Sequence, residues 1–254
     1  MVLSVQNRTF AAKIDLFLMA NPYFEFKRFT VFHDRCAMKV GTDGVLLGSW
    51  MDVEGARHLL DIGCGCGLIA LMAAQRCSGS IVAVELDPEA ALQAGENVGR
   101  SPWADRVEVV CADIRSYAPG QKFDRVFSNP PYFVDSLKCP DKKRSSARHV
   151  GEGLGFDELF DSVVRVLDVE GEFSLVLPAD LCSEVKAVAA SRLLYLSRET
   201  QVCTRQGKAP KRVLLAFRFV PPAERVVPQQ LVLETAPRIP SEAFRRLVND
   251  FYLK

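Results

Sequence analysis

The chain has no apolar run long enough to cross a bilayer, which takes about 20 consecutive residues. Its nearest approach, at 14–20, is short, follows Lys13 and contains Asp15. No uninterrupted apolar segment leads to a small-residue cleavage site of the kind secretion requires, so a cytoplasmic protein without membrane contact is expected. Net charge is also nearly absent. The 32 Lys and Arg against 31 Asp and Glu leave +1, so any contact with a polyanion must come from local patches and not from a global field. No Gly/Ser-rich, Pro-rich or single-sign tract divides the chain, and no internal repeat is present, which leaves one domain as the expectation. Cys64 and Cys66 form a C-x-C without a second Cys/His pair at ligand spacing, so no metal site is expected. The eight cysteines are scattered, at 36, 64, 66, 77, 111, 139, 182 and 203, as suits reduced thiols.

What the sequence does have is a globular composition, 48% hydrophobic and 25% charged over 254 residues, enough for the core of one α/β domain. From 57 onward, short apolar strands alternate with amphipathic helices. Strands are expected at 57–62 (RHLLDI), 80–85 (SIVAVE), 107–112 (VEVVCA), 123–128 (FDRVFS) and 172–177 (EFSLVL). Helices are expected at 67–77, 88–99, 156–168 and 180–195, the second opening on Asp87-Pro88. This order predicts a Rossmann-like α/β fold, a mostly parallel sheet with helices on both faces. A late run, VLLAFRFV at 213–220, reads as a further strand, FKRFTVFHD at 26–34 as strand or hairpin, and 42–50 as helix with Thr42 a candidate cap. The terminal SEAFRRLVNDFYLK reads as a helix capped by Ser241. Residues 1–22 are read as an extension outside the domain, disordered or upstream of a true start; 23–50 is read as an N-terminal lid and 51–254 as the catalytic core.

Directly after the first strand of that core stands Asp61-Ile-Gly63-Cys-Gly65-Cys-Gly67, leading into LIALMAAQ. Glycines allow a tight turn and a close backbone approach, and the helix amino terminus offers free N–H groups to a small ligand. A dinucleotide-binding dehydrogenase is the rival, but its third glycine lies three residues beyond the second, where this chain has Leu68. The spacing D-x-G-x-G-x-G instead resembles motif I of class I methyltransferases, which use S-adenosylmethionine. Glu85, ending the second strand, is placed to accept from ribose hydroxyls. Asp113 and Ile114, after the third, suit an adenine amino group and a ring nitrogen, the latter through the backbone N–H.

Asn129-Pro130-Pro131-Tyr132 follows the fourth strand and resembles the N-P-P-Y motif of methyltransferases acting on conjugated nitrogen. An exocyclic amine is a poor nucleophile because its lone pair is delocalised. The Asn129 side-chain carbonyl and the Pro130 backbone carbonyl can each accept one N–H, orienting the amine so that no strong general base is needed. The two prolines stiffen the loop, and Tyr132 can stack on the base. N-P and P-P are also common turn dipeptides, so the tetrapeptide gains its weight from following the glycine loop.

The motif leaves the acceptor open among DNA or tRNA adenine, rRNA guanine and protein glutamine. The block HDRCAMKVGTDGVLLG at 33–48, SPWAD at 101–105, RVLLAF at 212–217 and FYL at 251–253 resemble the bacterial tRNA(Val) adenine-N6 methyltransferases, and the resemblance runs through nearly everything from Phe26 onward. It implies transfer of a methyl group from S-adenosylmethionine to N6 of the adenine just 3′ of the anticodon, position 37. It also implies that 33–48 covers the cofactor, with Asp43 near its methionine amine and Arg35 and Lys39 facing its carboxylate or an RNA phosphate. Lys138, Lys142, Lys143, Arg144 and Arg148 are candidate RNA contacts past the catalytic loop. For Arg205, Lys208, Lys211 and Arg212, RNA contact and plain solvated surface stay equally open. The alternatives carried forward are an rRNA guanine-N2 or protein-glutamine methyltransferase, and a protein that binds RNA or S-adenosylmethionine without turnover.

Overall fold

The computed structural model describes residues 21–131 and 154–253. In chain order it contains the hairpin β1 (Tyr23–Glu25) and β2 (Thr30–Phe32), α1 (Thr42–Trp50), β3 (His58–Ile62), α2 (Leu68–Arg76), β4 (Ser80–Glu85) and α3 (Pro88–Gly99). Then follow β5 (Val107–Cys111), β6 (Phe123–Ser128), α4 (Phe156–Val166), β7 (Leu167–Pro178) and α5 (Cys182–Ala190). The last part holds β8 (Tyr195–Arg205), β9 (Arg212–Arg218), β10 (Gln229–Ala236), β11 (Ile239–Pro240) and α6 (Glu242–Val248). Nine strands form one sheet in the order β11-β10-β8-β9-β7-β6-β3-β4-β5.

The five strands from β7 to β5 are parallel, the β-α alternation dictating crossovers that leave helices on the faces. The chain steps outward from β3 to β4 and β5, then restarts at β6 on the other side of β3. That reversal opens a crevice at the carboxyl ends of β3 and β6, the switch point at which open α/β sheets bind ligands. Each face of the sheet has its own core. One gathers α1, α2, α3 and α6; the other is built from α4 and α5, with Phe160 edge-on to Phe173 and Phe217.

Local chemistry sets several of the element ends. Asp87 accepts the N–H groups of Glu89 and Ala90, and Pro88 follows as the first helical residue, so α3 starts where Asp-Pro predicts. Ser241 accepts from Phe244 N–H and caps α6. Thr42 does not cap α1: Gly41 holds the cap position without a side-chain bond, and Thr42 is the first helical residue. The segment 23–50 divides. Residues 44–50 of α1 are all buried, and a Cβ on Gly48 would meet Met72 Sδ at 2.6 Å and its Cβ at 3.0 Å, so α1 is pressed into the core beside α2. Only the loop before α1 and its first turn border the crevice.

The edge beyond β7 departs from expectation. The helix expected at 180–195 ends at Ala190, after which Leu193 takes a left-handed conformation (φ 57°) and turns the chain into β8. β8, β10 and β11 were not anticipated. β8 is paired on both sides, and its buried Glu199 and Thr200 are matched by Lys186 and Trp50. Buried polar residues with internal partners break the alternation by which a strand is recognised.

Candidate active site

The glycine loop joins β3 to α2 in a backbone that only glycine adopts readily: Gly63, Gly65 and Gly67 have φ of 70°, 53° and 80°. The N–H groups of Gly63 and Cys64 both point back to Val84 O, at 2.9 and 3.1 Å, pinning the loop to β4. A Cβ on Gly63 or Gly65 would meet nothing within 4 Å, whereas one on Gly67 would touch Ala94 at 3.4 Å. The first two glycines therefore face open space, and the third packs the loop on α3. Asp61 is fully buried beneath; its Oδ2 accepts from Ala70 N–H at 3.0 Å, while Oδ1 has no hydrogen-bond partner among the described residues. Burial pushes its carboxyl up to about 8.

Two lobes of one cleft meet over this loop. The first, about 240 Å³, is bordered by Gly63, Gly65, Glu85, Asp113, Ile114 and the 36–38 loop. Glu85 accepts from Gly65 N–H at 2.7 Å through Oε2 and from Asp87 N–H at 3.0 Å through Oε1, fixing its carboxylate at the wall. Asp113 is held in a fork by Arg115, whose Nη2 lies 2.7 Å and Nε 2.9 Å from Oδ2. These bonds keep its carboxyl below the usual range, and Glu158 anchors Arg115 from α4. Ile114 is buried and its carbonyl accepts from Arg165.

The second lobe, about 340 Å³, is bordered by Lys39, Thr42, Asp43, Cys64, Cys66 and Arg212. Asp43 Oδ2 accepts from Arg212 Nε at 2.7 Å. Asn129 borders both lobes, as do Gly63 and Gly65. It follows Ser128, whose hydroxyl donates to Ile62 O at 2.8 Å and ties the ends of β6 and β3. Pro130 is buried behind it and Pro131 exposed.

The structure thus brings Asp43, Lys39, the glycine loop, Glu85, Asp113, Ile114, Asn129, Pro130 and Pro131 to one cleft. Arg35 borders neither lobe: its guanidinium pairs with Glu96 of α3 and its backbone N–H donates to Gln93 Oε1 at 3.1 Å, which sets aside the cofactor carboxylate and leaves the RNA phosphate as its expected partner. Tyr132, Lys138, Lys142, Lys143, Arg144 and Arg148 lie outside the described residues. Sequence reasoning missed two contributors. Arg115 carried no motif, and Arg212 was one member of a basic run; only the antiparallel return of β9 beside β7 brings it to Asp43. Cys64 and Cys66 are buried thiols pushed well up, Cys64 by burial and Cys66 first by its bond with Cys36, as befits small fillers of the loop.

Residues 31–186 match the family model described as the methyltransferase small domain. The chain is 52% identical over 236 residues to the tRNA1(Val) (adenine(37)-N6)-methyltransferase of Phocaeicola vulgatus, covering 92% of this chain and 99% of that one. It is 43% identical over 234 residues to the protein of the same name from Escherichia coli O157:H7, covering 91% and 94%. Among solved structures it is similar to a predicted O-methyltransferase from Agrobacterium tumefaciens, with TM-score 0.64, 21% identity, and coverage of 82% of this chain and 96% of that one. That likeness carries the fold alone. With 43–52% identity over nearly its full length to relatives of one name and a family model spanning most of the chain, this protein belongs to the methyltransferase small domain family, among the bacterial tRNA1(Val) adenine-N6 methyltransferases.

Proposed function

We propose that the chain transfers the methyl group of S-adenosylmethionine to N6 of the adenine at position 37 of tRNA1(Val). The observation that carries this is the position of Asn129 at the junction of two lobes lined by different chemistry. One lobe has carboxylates suited to a ribose and an adenine amine, the other an ion pair suited to an amino acid. The residues fit such a cofactor: the open space over Gly63 and Gly65 admits a ligand against the backbone, and Asp61 Oδ1 at the loop's base is a buried polar atom without a hydrogen-bond partner among the described residues.

When bound, S-adenosylmethionine supplies an electrophilic methyl group on a sulfonium. Glu85 accepts from the ribose hydroxyls, and Asp113, stiffened by Arg115, accepts from the adenine amine beside the Ile114 N–H. In the second lobe, Asp43 suits an ammonium while Lys39 and Arg212 suit a carboxylate, so an amino-acid zwitterion meets charge of the opposite sign at both ends. Asn129 and the Pro130 carbonyl accept the N–H groups of the target amine and hold its lone pair toward the methyl, an orientation effect needing no strong base. Tyr132, as the stacking platform, and Lys142, Lys143, Arg144 and Arg148, as phosphate contacts, complete the proposal. Of the second basic run, Arg205 ends β8, Lys208 and Lys211 lie in the following loop and Arg212 opens β9; Arg212 alone borders the cleft, and RNA contact by the other three stays open. No helix among the described residues is long and apolar enough to cross a membrane.

The test is incubation with labelled S-adenosylmethionine and separate pools of unmodified tRNA, rRNA and protein, followed by digestion. N6-methyladenosine from tRNA is expected. Methylguanosine from rRNA or methylglutamine from protein would replace the acceptor, and no label in any pool would leave a binding protein without turnover.

A further inference from the structure

At the amino end of the sheet, away from the cleft, three arginines from three elements converge on one cavity of about 520 Å³: Arg76 at the end of α2, Arg198 in β8 and Arg218 in β9. Two carboxylates line the same cavity, Asp52 and Glu172. Glu172 is 3% exposed and already committed. Arg218 Nε donates to its Oε2 at 2.8 Å, Ser197 to the same oxygen at 3.3 Å, and Ser174 to Oε1 at 3.5 Å. Asp52 sits 3.9 Å from a fourth arginine, Arg125.

Arg198 makes the longer of the two arginine contacts to Glu172. It forms an ion pair with Glu172 at 3.8 Å, beyond hydrogen-bond reach, and among the described residues its buried Nη2 has no hydrogen-bond acceptor. Its orientation is nevertheless set. The guanidinium stacks 3.7 Å from the centre of the Trp50 ring, and Trp50 is itself held by its Nε1–H bond to Thr200 at 2.9 Å. Burial lowers the basicity of both Arg76 and Arg198; Arg76 Nη1 is held by the carbonyls of Gly48 and Met51 at 2.9 and 2.8 Å, which leaves Arg198 the less compensated of the two cations. Arg198 is thus positioned by the Trp50 ring and drawn to Glu172 at ion-pair distance, while its Nη2 lacks a hydrogen-bond acceptor among the described residues.

The missing element is an oxyanion. Cations exceed carboxylates, guanidinium forks match phosphate oxygens two at a time, and Val220, Pro221 and Pro222 give one wall an apolar surface with room for an attached organic group. We propose that this cavity binds a phosphate group, carried either by a small nucleotide or by the RNA backbone, at a site separate from the methyl-transfer cleft. β9 links the two: Arg212 at one end borders the cleft and Arg218 at the other borders this cavity, about 20 Å apart at strand rise.

The test is arginine-directed labelling of the wild-type protein with phenylglyoxal, read by mass spectrometry. Inorganic phosphate and adenosine monophosphate are expected to slow modification of Arg198, and adenosine to have no effect. Arg198→Met is expected to weaken phosphate binding at least tenfold in calorimetry while leaving S-adenosylhomocysteine binding unchanged. Protection of Arg198 by tRNA, with a raised KM for tRNA in Arg198→Met, assigns the phosphate to the RNA backbone; protection by the nucleotide alone assigns it to a small ligand. No protection by phosphate in the wild type, or equal phosphate affinity in the variant, overturns the site. The labelling arm does not depend on any variant folding.

Discussion

The two ends of the parallel strands handle polar groups in opposite ways. At the amino end, polar groups serve the backbone: Asp124 accepts from the N–H groups of Arg57 and His58 at 2.9 and 3.0 Å, and Arg106 donates to the carbonyls of Ala74, Cys77 and Gly79. At the carboxyl end, three left-handed glycines hold the backbone open, Asp61 keeps a buried oxygen without a partner among the described residues, and Glu85 and Asp113 are fixed at the wall of a cleft. A polar group whose partners all lie within the fold is structural. One that is positioned while its bonding capacity stays unfilled is set for a ligand, and Arg198 earns attention as the member of the amino end that breaks the pattern.

The sharpest way to test this contrast is Asn129→Ala. Removing one preorganised hydrogen-bond donor from an oxyanion site costs about 10²–10³ in kcat, and a loss on that order is expected for this preorganised acceptor, with S-adenosylhomocysteine affinity unchanged because the cofactor walls stay intact. Single-turnover methylation and calorimetry measure the two separately; unchanged turnover would remove Asn129 from the chemistry. Glu85→Ala should do the reverse in kind, weakening S-adenosylhomocysteine by roughly 10- to 150-fold, the worth of hydrogen bonds to a charged group, and calorimetry again reads it.

Asp61 sharpens the comparison through pH. Its carboxyl is raised from 3.8 to about 8 in the folded protein, so between those values the folded state holds a proton that the unfolded chain has released. Stability from this group is therefore full below about pH 4 and is lost as pH rises toward 8. Chemical denaturation of the ligand-free protein from pH 5 to 8 should show this decline, and Asp61→Asn should flatten it. A slope identical in both proteins would mean that Asp61 is already ionised.

How much of this was legible follows the same division. The glycine loop, Glu85, Asp113 and N-P-P were readable because each sits at a strand end whose own residues announce it by an apolar run. The Asp87-Pro88 start and the Ser241 cap were readable because capping is local chemistry. Arg115 and Arg212 were hidden because their roles depend on which side chain the tertiary fold brings opposite them. β8 was hidden because Glu199 and Thr200 are polar yet buried, and their partners, Lys186 and Trp50, stand 13 and 150 residues away. Lys39 and Arg35 lie in one loop and looked equivalent, but the Gln93 bond to the Arg35 backbone sends only Lys39 to the cleft.

The smallest expected effect belongs to the amino end. Gly79 precedes β4 where the chain passes against the start of β3, and a Cβ there would lie 2.4 Å from Ala56 O and 2.7 Å from Arg57 O. Both are backbone atoms in a tightly bonded corner, with Ser80 N–H held to Arg57 O at 2.9 Å, so the neighbours cannot rotate away as a side chain would. Gly79→Ala should destabilise the fold by about 1–3 kcal/mol, the range for overpacking, measured by denaturant titration. Because every group it disturbs bonds within the fold, the protein that remains folded should keep its kcat and its affinity for S-adenosylhomocysteine. A variant of wild-type stability with impaired turnover would reverse the assignment of the two ends.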